Sequence, residues 1–416
     1  MRRVDRSDFR FPAIVYASNV KVLRRPVESA LYSMTAQDID QQTACVQKKV
    51  SEILPDMKIR AREADRTAVF PFETMQALAQ AGALDLVLPR SQGGAECDLA
   101  TAQALIGTIA QADPVAALVL VNHYMVHAEL RSLPSYPVPL QDREATADKL
   151  INALLAEPDQ GSASRGGLPG TVAQKTDQGW SLTGRKAYAT GIPALSWLLV
   201  RARTDGPEPE IAFFLIPREA SGIAALPTWD HVGMRASASQ EVVLTDVAVP
   251  NDHLIFKEKA GQASNFGKVL GMWNQGLLGA LYDGVVRTAV GWTENFLKAR
   301  KPSNLGAALA TLPAMQDVIG SIRIALDLNQ TLLRSFAEAV ALRDKERIQK
   351  EAVLIKIQTV DGAAGLTQSL LAIAGNAGLS ARNDLERCHR DALCGRIHAP
   401  HAELLRNKAG RQALGV

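Results

Sequence analysis

The residues with most chemistry to offer lie near the end of the chain, at His398-Ala399-Pro400-His401. Histidine is the side chain whose ordinary pKa lets it take and return a proton near neutrality, so His398 is the first acid/base candidate. His123 and His127 stand one helical turn apart and could face one cavity. A metal would need a further ligand that the sequence does not supply, so the pair reads as core or pocket lining, with His123 a second acid/base candidate if it lines a cofactor cavity. Cys388 and Cys394, six apart beside His389 and His398, match no usual zinc spacing, and no metal site is expected.

The elements that must carry these residues follow from periodicity. From Thr35 to about Arg66 the pattern is helical and charged; Phe72 to Ala81 reads as a short amphipathic helix stopped at Gly82. Leu99 to Leu130 is nearly all apolar and broken at Asp113-Pro114, which suits two buried helices. Near Ile151 the period changes to two. Gly179–Gly184, Ser196–Val200, Ile211–Ile216 and Glu241–Leu244 read as short strands separated by Gly, Pro and Asp, as in a small β-barrel or sandwich. After about Ala263 the helical period returns and persists. The chain therefore divides into residues 34–150 (helical), 151–262 (β) and 263–416 (helical bundle), a mostly α protein with a central β-domain.

Composition excludes several classes of function. The chain has 416 residues, 47% apolar and 21% charged, with a net charge of +3, which is ordinary for a globular protein. No basic run is interleaved with aromatics, so nucleic acid is not an expected partner. No stretch approaches eighteen consecutive apolar residues, so no membrane span is expected. Four cysteines make no disulfide framework and no secretory segment opens the chain, so the expected location is cytoplasmic. Residues 1–33 carry Arg2, Arg3, Arg6, Arg10, Lys21, Arg24 and Arg25 against three acids. They read as a flexible basic extension, or an over-long gene start, with an organelle transit peptide as the alternative.

Gly375-Asn376-Ala377-Gly378, Glu386-Arg387, Arg390-Asp391 and Ile397 resemble, in order and interval, the C-terminal signature of the acyl-CoA dehydrogenase superfamily. Leu88-Pro89 with Gly93-Gly94, Gly233-Met234-Arg235 with Ser237, and Val247-Ala248-Val249-Pro250 continue the resemblance across roughly Asp38 to Gly410. It implies an N-terminal helical domain, a middle β-barrel and a C-terminal four-helix bundle. It also implies a bound flavin, FAD in the first instance, and a homodimer or homotetramer whose neighbouring subunit completes the cofactor site.

Carried over residue by residue, the resemblance places Ala156 where the family has a flavin-bonding Thr, and Ser162 on the phosphate side of the flavin. Tyr188 falls at the Trp position beside the ring and Thr190 at its polar edge. Arg300, Gly375 and His401 match positions that serve the cofactor's adenylate half. Ala372, Asn376 and His401 replace residues that bond it, so retention of a dinucleotide is expected to be weaker. FMN or a diffusible reduced flavin is the other possibility.

The family takes its catalytic carboxylate from one of two places, and here these are Ala399 and Asn274. Neither is a base: a methyl group cannot take a proton and an amide is not appreciably basic. Asp283 reads as a solvated or helix-packing residue, and Glu403 is the remaining carboxylate nearby. His398-Ala399-Pro400 is similar to the Leu-His-Asp-Pro of the superfamily's flavin-dependent monooxygenases, which take reduced flavin from a separate reductase. Tyr188-Ala189-Thr190-Gly191 resembles that branch too, although Ala399 departs from its Asp. The resemblance thus implies flavin-linked oxidation of an acyl thioester. The alternatives are a two-component monooxygenase acting on a small organic substrate, and a catalytically silent flavin-binding scaffold.

Overall fold

In a computed structural model the described residues are 36–158, 160, 167–260 and 266–416. Residues 1–33 and Ser162 lie outside them. Five helices come first: α1 (Ala36–Thr67), α2 (Phe72–Gln80), α3 (Leu99–Ala110), α4 (Pro114–Arg131) and α5 (Arg143–Thr146). The break between α3 and α4 is where the sequence places it. The Asp113 carboxylate accepts the Val115 and Ala116 amides while Pro114 occupies the first helical turn, where it forfeits no hydrogen bond.

Eight strands follow: β1 (Leu150–Leu154), β2 (Val172–Thr176), β3 (Gly179–Ala189), β4 (Leu195–Thr204), β5 (Glu210–Pro217), β6 (Ile223–Leu226), β7 (Gln240–Pro250) and β8 (Leu254–Lys259). They pair as one mixed sheet in the order β6-β7-β3-β2-β4-β5-β8, with β1 parallel to β4. The unbroken run Ala212–Ile216 in β5 is buried throughout, as expected of a strand covered on both faces. The four strands expected from the sequence are present as β3, β4, β5 and β7.

The third part comprises α6 (Lys268–Ala299), α7 (Pro313–Ala341), α8 (Lys345–Leu354), a π-helical stretch (Ile355–Asp361), α9 (Gly362–Ala374), α10 (Asp384–Leu393) and α11 (Ala402–Leu414). Helix α6 is the hub, packing on α3, α4, α7, α9 and α10. Its N-terminus is capped from another helix: Glu129 on α4 accepts the Gly267 amide at 2.9 Å and the Leu270 amide at 2.7 Å. No helix among the described residues is long and apolar enough to cross a membrane.

Helix α10 joins the three parts. The buried Asp391 carboxylate accepts the Met234 amide at 2.7 Å, and Gly233 lies so close to the Arg390 carbonyl that a Cβ there would overlap it. Arg390 reaches Asp65 on α1 (2.7 Å), Glu386 on its own helix (2.7 Å) and the Val232 carbonyl (3.0 Å). Arg62 makes a two-pronged pair with Asp384 at 2.7 and 2.8 Å. A buried acceptor that loses its geometry strands its donors, which is why such clusters matter more than surface pairs. Asp391→Ala is therefore expected to lower unfolding stability by about 3 kcal/mol. Removing the exposed, solvent-screened Arg66–Glu63 pair should leave it unchanged, both read by urea denaturation.

Candidate active site

The turn after α10 carries His398. Its Nε2 lies 2.8 Å from the hydroxyl of Tyr282, a wholly buried residue of α6. Burial pushes the Tyr282 pKa well above its ordinary value, so the phenol keeps its proton, and Nε2 is the acceptor that the described residues offer it. With the phenol as donor, the imidazole carries its own proton on Nδ1, and no hydrogen bond from the described residues meets that atom. Desolvation first, and the Lys356 ammonium second, lower the His398 pKa to about 4. The imidazole is neutral at physiological pH.

Gln275, on the same helix and two turns before Tyr282, donates to the Ala399 carbonyl at 3.4 Å, and its own Oε1 is buried without a partner. Asn274 precedes Gln275 on α6, and neither Asn274 nor Ala399 offers a carboxylate. The other carboxylates named from the sequence are committed or remote. Asp283 is held by Arg287 at 2.6 Å and Asn329 at 3.1 Å, and Glu403 is exposed on α11.

At the sheet, Tyr188 has φ 59° and its ring stands 59% exposed. The Thr190 amide donates back to the Tyr188 carbonyl at 2.8 Å, closing a γ-turn that interrupts the β3–β7 register. Left-handed backbone at a bulky aromatic costs about 1–3 kcal/mol and persists where the surroundings impose it, commonly at a ligand site. Thr190 is buried in a chain of hydroxyls, its Oγ1 2.9 Å from Ser239, which is 2.8 Å from Ser237. Asn152 donates to the Thr190 carbonyl at 3.0 Å and leaves its own Oδ1 buried and unpaired. Ala156 accepts the Ala187 amide at 2.9 Å, and the adjoining Glu157 is consumed by the buried Lys186 ammonium at 2.6 Å.

The acyl-CoA dehydrogenase N-terminal, middle and C-terminal domains match residues 41–132, 152–247 and 277–414. The chain belongs to the acyl-CoA dehydrogenase family. It is 28% identical over 373 residues to a putative acyl-CoA dehydrogenase, YdbM, of Bacillus subtilis, covering 88% of this chain and 96% of that one. It is 24% identical to L-evernosamine nitrososynthase of Micromonospora, covering 84% and 85%. In fold it is similar to the dibenzothiophene monooxygenase TdsC of Paenibacillus sp. A11-2. In that protein's complex with FMN and indole the TM-score is 0.78 at 22% identity, covering 89% of this chain and 97% of that one.

Within this family member, His123 is not free to exchange a proton. It is wholly buried, with Nε2 2.9 Å from the Leu84 carbonyl and Nδ1 accepting the Ile151 amide at 3.4 Å. Burial holds its pKa down at about 4, so it acts as a neutral pin between α4 and β1. His127 is likewise engaged, 2.6 Å from the Tyr136 hydroxyl, and no group of three metal-binding side chains exists among the described residues.

Arg300 ends α6 and is exposed; Gly375, at φ 57°, ends α9; His401 caps α11 and is partly exposed. No hydrogen bond or ion pair among the described residues joins these three to Tyr188 or Thr190. Gln275, Tyr282, Asn152 and Ser239 were not read as site residues from the sequence, and Ser237 served there only as a family landmark. Gln275 and Tyr282 share one face of α6 at seven-residue spacing, a signal that was available.

Replacing Tyr188 by Gly removes both the ring and the backbone strain. Thermal or urea unfolding should show stability unchanged or raised by about 1 kcal/mol, while flavin affinity falls roughly tenfold with loss of the aromatic contact. A stability loss with unchanged flavin affinity would assign Tyr188 to packing instead.

Proposed function

We propose that this family member is a flavin-dependent monooxygenase, using reduced flavin and dioxygen on a small organic substrate. The observation that carries the reading is the pair Ala399 and Asn274 beside a neutral His398. Dehydrogenation of an acyl thioester needs a base poised to take a carbon-bound proton, and an imidazole with a pKa of about 4 is a poor one. A neutral imidazole with a fixed Nδ1 proton is instead suited to donate a hydrogen bond.

The residues at the sheet fit an isoalloxazine ring. Tyr188 offers an aromatic face, Thr190 and its serine chain offer hydroxyls, and the unpaired Asn152 Oδ1 offers a buried acceptor. Ala156, Tyr188 and Thr190 would hold the ring; Ser162, Arg300, Gly375 and His401 are the positions for a distal half. The exposure of Arg300 and the side-chain donor lost at Ala372 favour FMN or an exchanging flavin over tightly kept FAD. Bound in reduced form, the flavin supplies the two electrons that divide dioxygen between the substrate and water.

His398 holds its Nδ1 proton toward developing negative charge, and Tyr282 keeps the ring from turning. The partners that follow are a small-molecule substrate, a flavin reductase and further copies of this chain. Ile324 and Leu328, exposed one turn apart on α7, provide an apolar face for the last of these.

The second reading, an acyl-CoA dehydrogenase with an unidentified base, is favoured by the relative from Bacillus subtilis. An anaerobic panel of acyl-CoA thioesters separates the two: bleaching of bound oxidised flavin supports the dehydrogenase, and no bleaching supports the monooxygenase. Under air with reduced flavin supplied, His398→Ala should lower product formed per flavin oxidised by about 100-fold. Unchanged coupling would contradict the role given to His398. A chain that retains neither redox form of flavin would be the silent scaffold.

A further inference from the structure

The π-helical stretch Ile355–Asp361 carries a lysine that the reaction above has not used. Lys356 is 1% exposed, and its ammonium donates to the Gly395 carbonyl at 2.7 Å. Gly395 belongs to the turn Cys394–Ile397, which delivers the chain to His398. A Cβ on Gly395 would lie 2.6 Å from the Val360 carbonyl of the same π-helical stretch and 3.4 Å from the Tyr282 ring. The π-helical stretch, the turn and the tyrosine are therefore packed with no room for a methyl group. Local π-helix is an uncommon conformation that recurs at functional sites.

We propose that Lys356 is a positioning residue for His398: its ammonium anchors the turn through Gly395 and presents a positive charge to the imidazole. The proposal deepens the monooxygenase reading and rests on it for its catalytic meaning. A buried ammonium with one protein acceptor has donors to spare, and its unscreened charge opposes a second positive charge nearby. The charged and titratable groups around the pair come from several elements. Asp361 lies on the π-helical stretch and is paired with Arg406 of α11 at 3.4 Å, and Glu403 is also on α11. Tyr282 comes from α6, with Asp391 and Cys394 bearing on its hydroxyl. Both carboxylates favour the charged form of Lys356, while burial lowers its pKa to about 8. Between about pH 4 and pH 8 the pair thus stands as ammonium and neutral imidazole.

The test uses full-length protein with isotope-labelled histidine, followed by NMR, so that it does not depend on turnover. In the wild type the His398 ring should titrate near pH 4. Lys356→Gln keeps an N–H for the Gly395 carbonyl but removes the charge, and should raise the His398 midpoint above the wild-type value. Lys356→Arg should leave it near the wild-type value. In the oxygenation assay the Gln variant should gain an acid limb closer to neutrality that the Arg variant lacks. An unmoved His398 midpoint in Lys356→Gln overturns the proposal, whatever the flavin assays show. A moved midpoint with no oxygenation in the wild type upholds the Lys356–His398 coupling and sinks the monooxygenase reading alone. Should neither variant fold, the wild-type Lys356 amine decides. Titration near 8 supports its buried charge beside His398, and titration at the ordinary lysine value overturns it.

Discussion

The hydrogen bond from the Met234 amide to the buried Asp391 carboxylate is the constraint on which the rest depends. Seven residues after Asp391 the chain reaches His398; three and five residues after Met234 it reaches Ser237 and Ser239, which bond to each other and on to Thr190. Both halves of the site are thus hung from one joint between α10 and the loop before β7. Arg390 extends that joint to α1 through Asp65. Within the C-terminal signature, Arg390 and Asp391 are therefore structural: they hold the elements that carry the site together. This explains how the spacing from Gly375 to His401 can keep the family's form while Ala399 abandons its usual base.

Several buried carboxylates are spent on folding. Glu129 caps α6, Glu157 satisfies Lys186 and the loop at Thr171, Asp283 holds Arg287 and Asn329, and Asp391 holds the joint. A carboxylate bound by several donors is not available to take a proton from carbon. The polar groups left over, His398 with its Nδ1 proton and the unpaired oxygens of Gln275 and Asn152, are suited to hydrogen bonding. A shared architecture can carry different sites, and the proposed activity rests on these groups rather than on the fold.

Much of the architecture was legible because its signals are local. Asp113-Pro114 marks a helix start by capping chemistry, and the alternation in β3 and β7 marks strands by period. The site was legible only in outline. His123 read as a second acid/base candidate on condition that it lined the cofactor cavity, and its partners are Leu84 and Ile151, 39 and 28 residues away. The Tyr282–His398 bond spans 116 residues and Lys356–Gly395 spans 39. The positive φ of Tyr188 is likewise imposed by the sheet around it, since no local preference of tyrosine favours it. Ser162, expected on the phosphate side of the cofactor, lies outside the described residues.

The proposed monooxygenase would work with reduced flavin and oxygen. The most direct measurement is a titration of the purified protein with FMN and FAD in both redox states, under strict anaerobiosis for the reduced forms. The account predicts binding of reduced flavin at least about tenfold tighter than oxidised flavin, a difference of about 1.4 kcal/mol. Tight retention of oxidised FAD, with no gain on reduction, would contradict it.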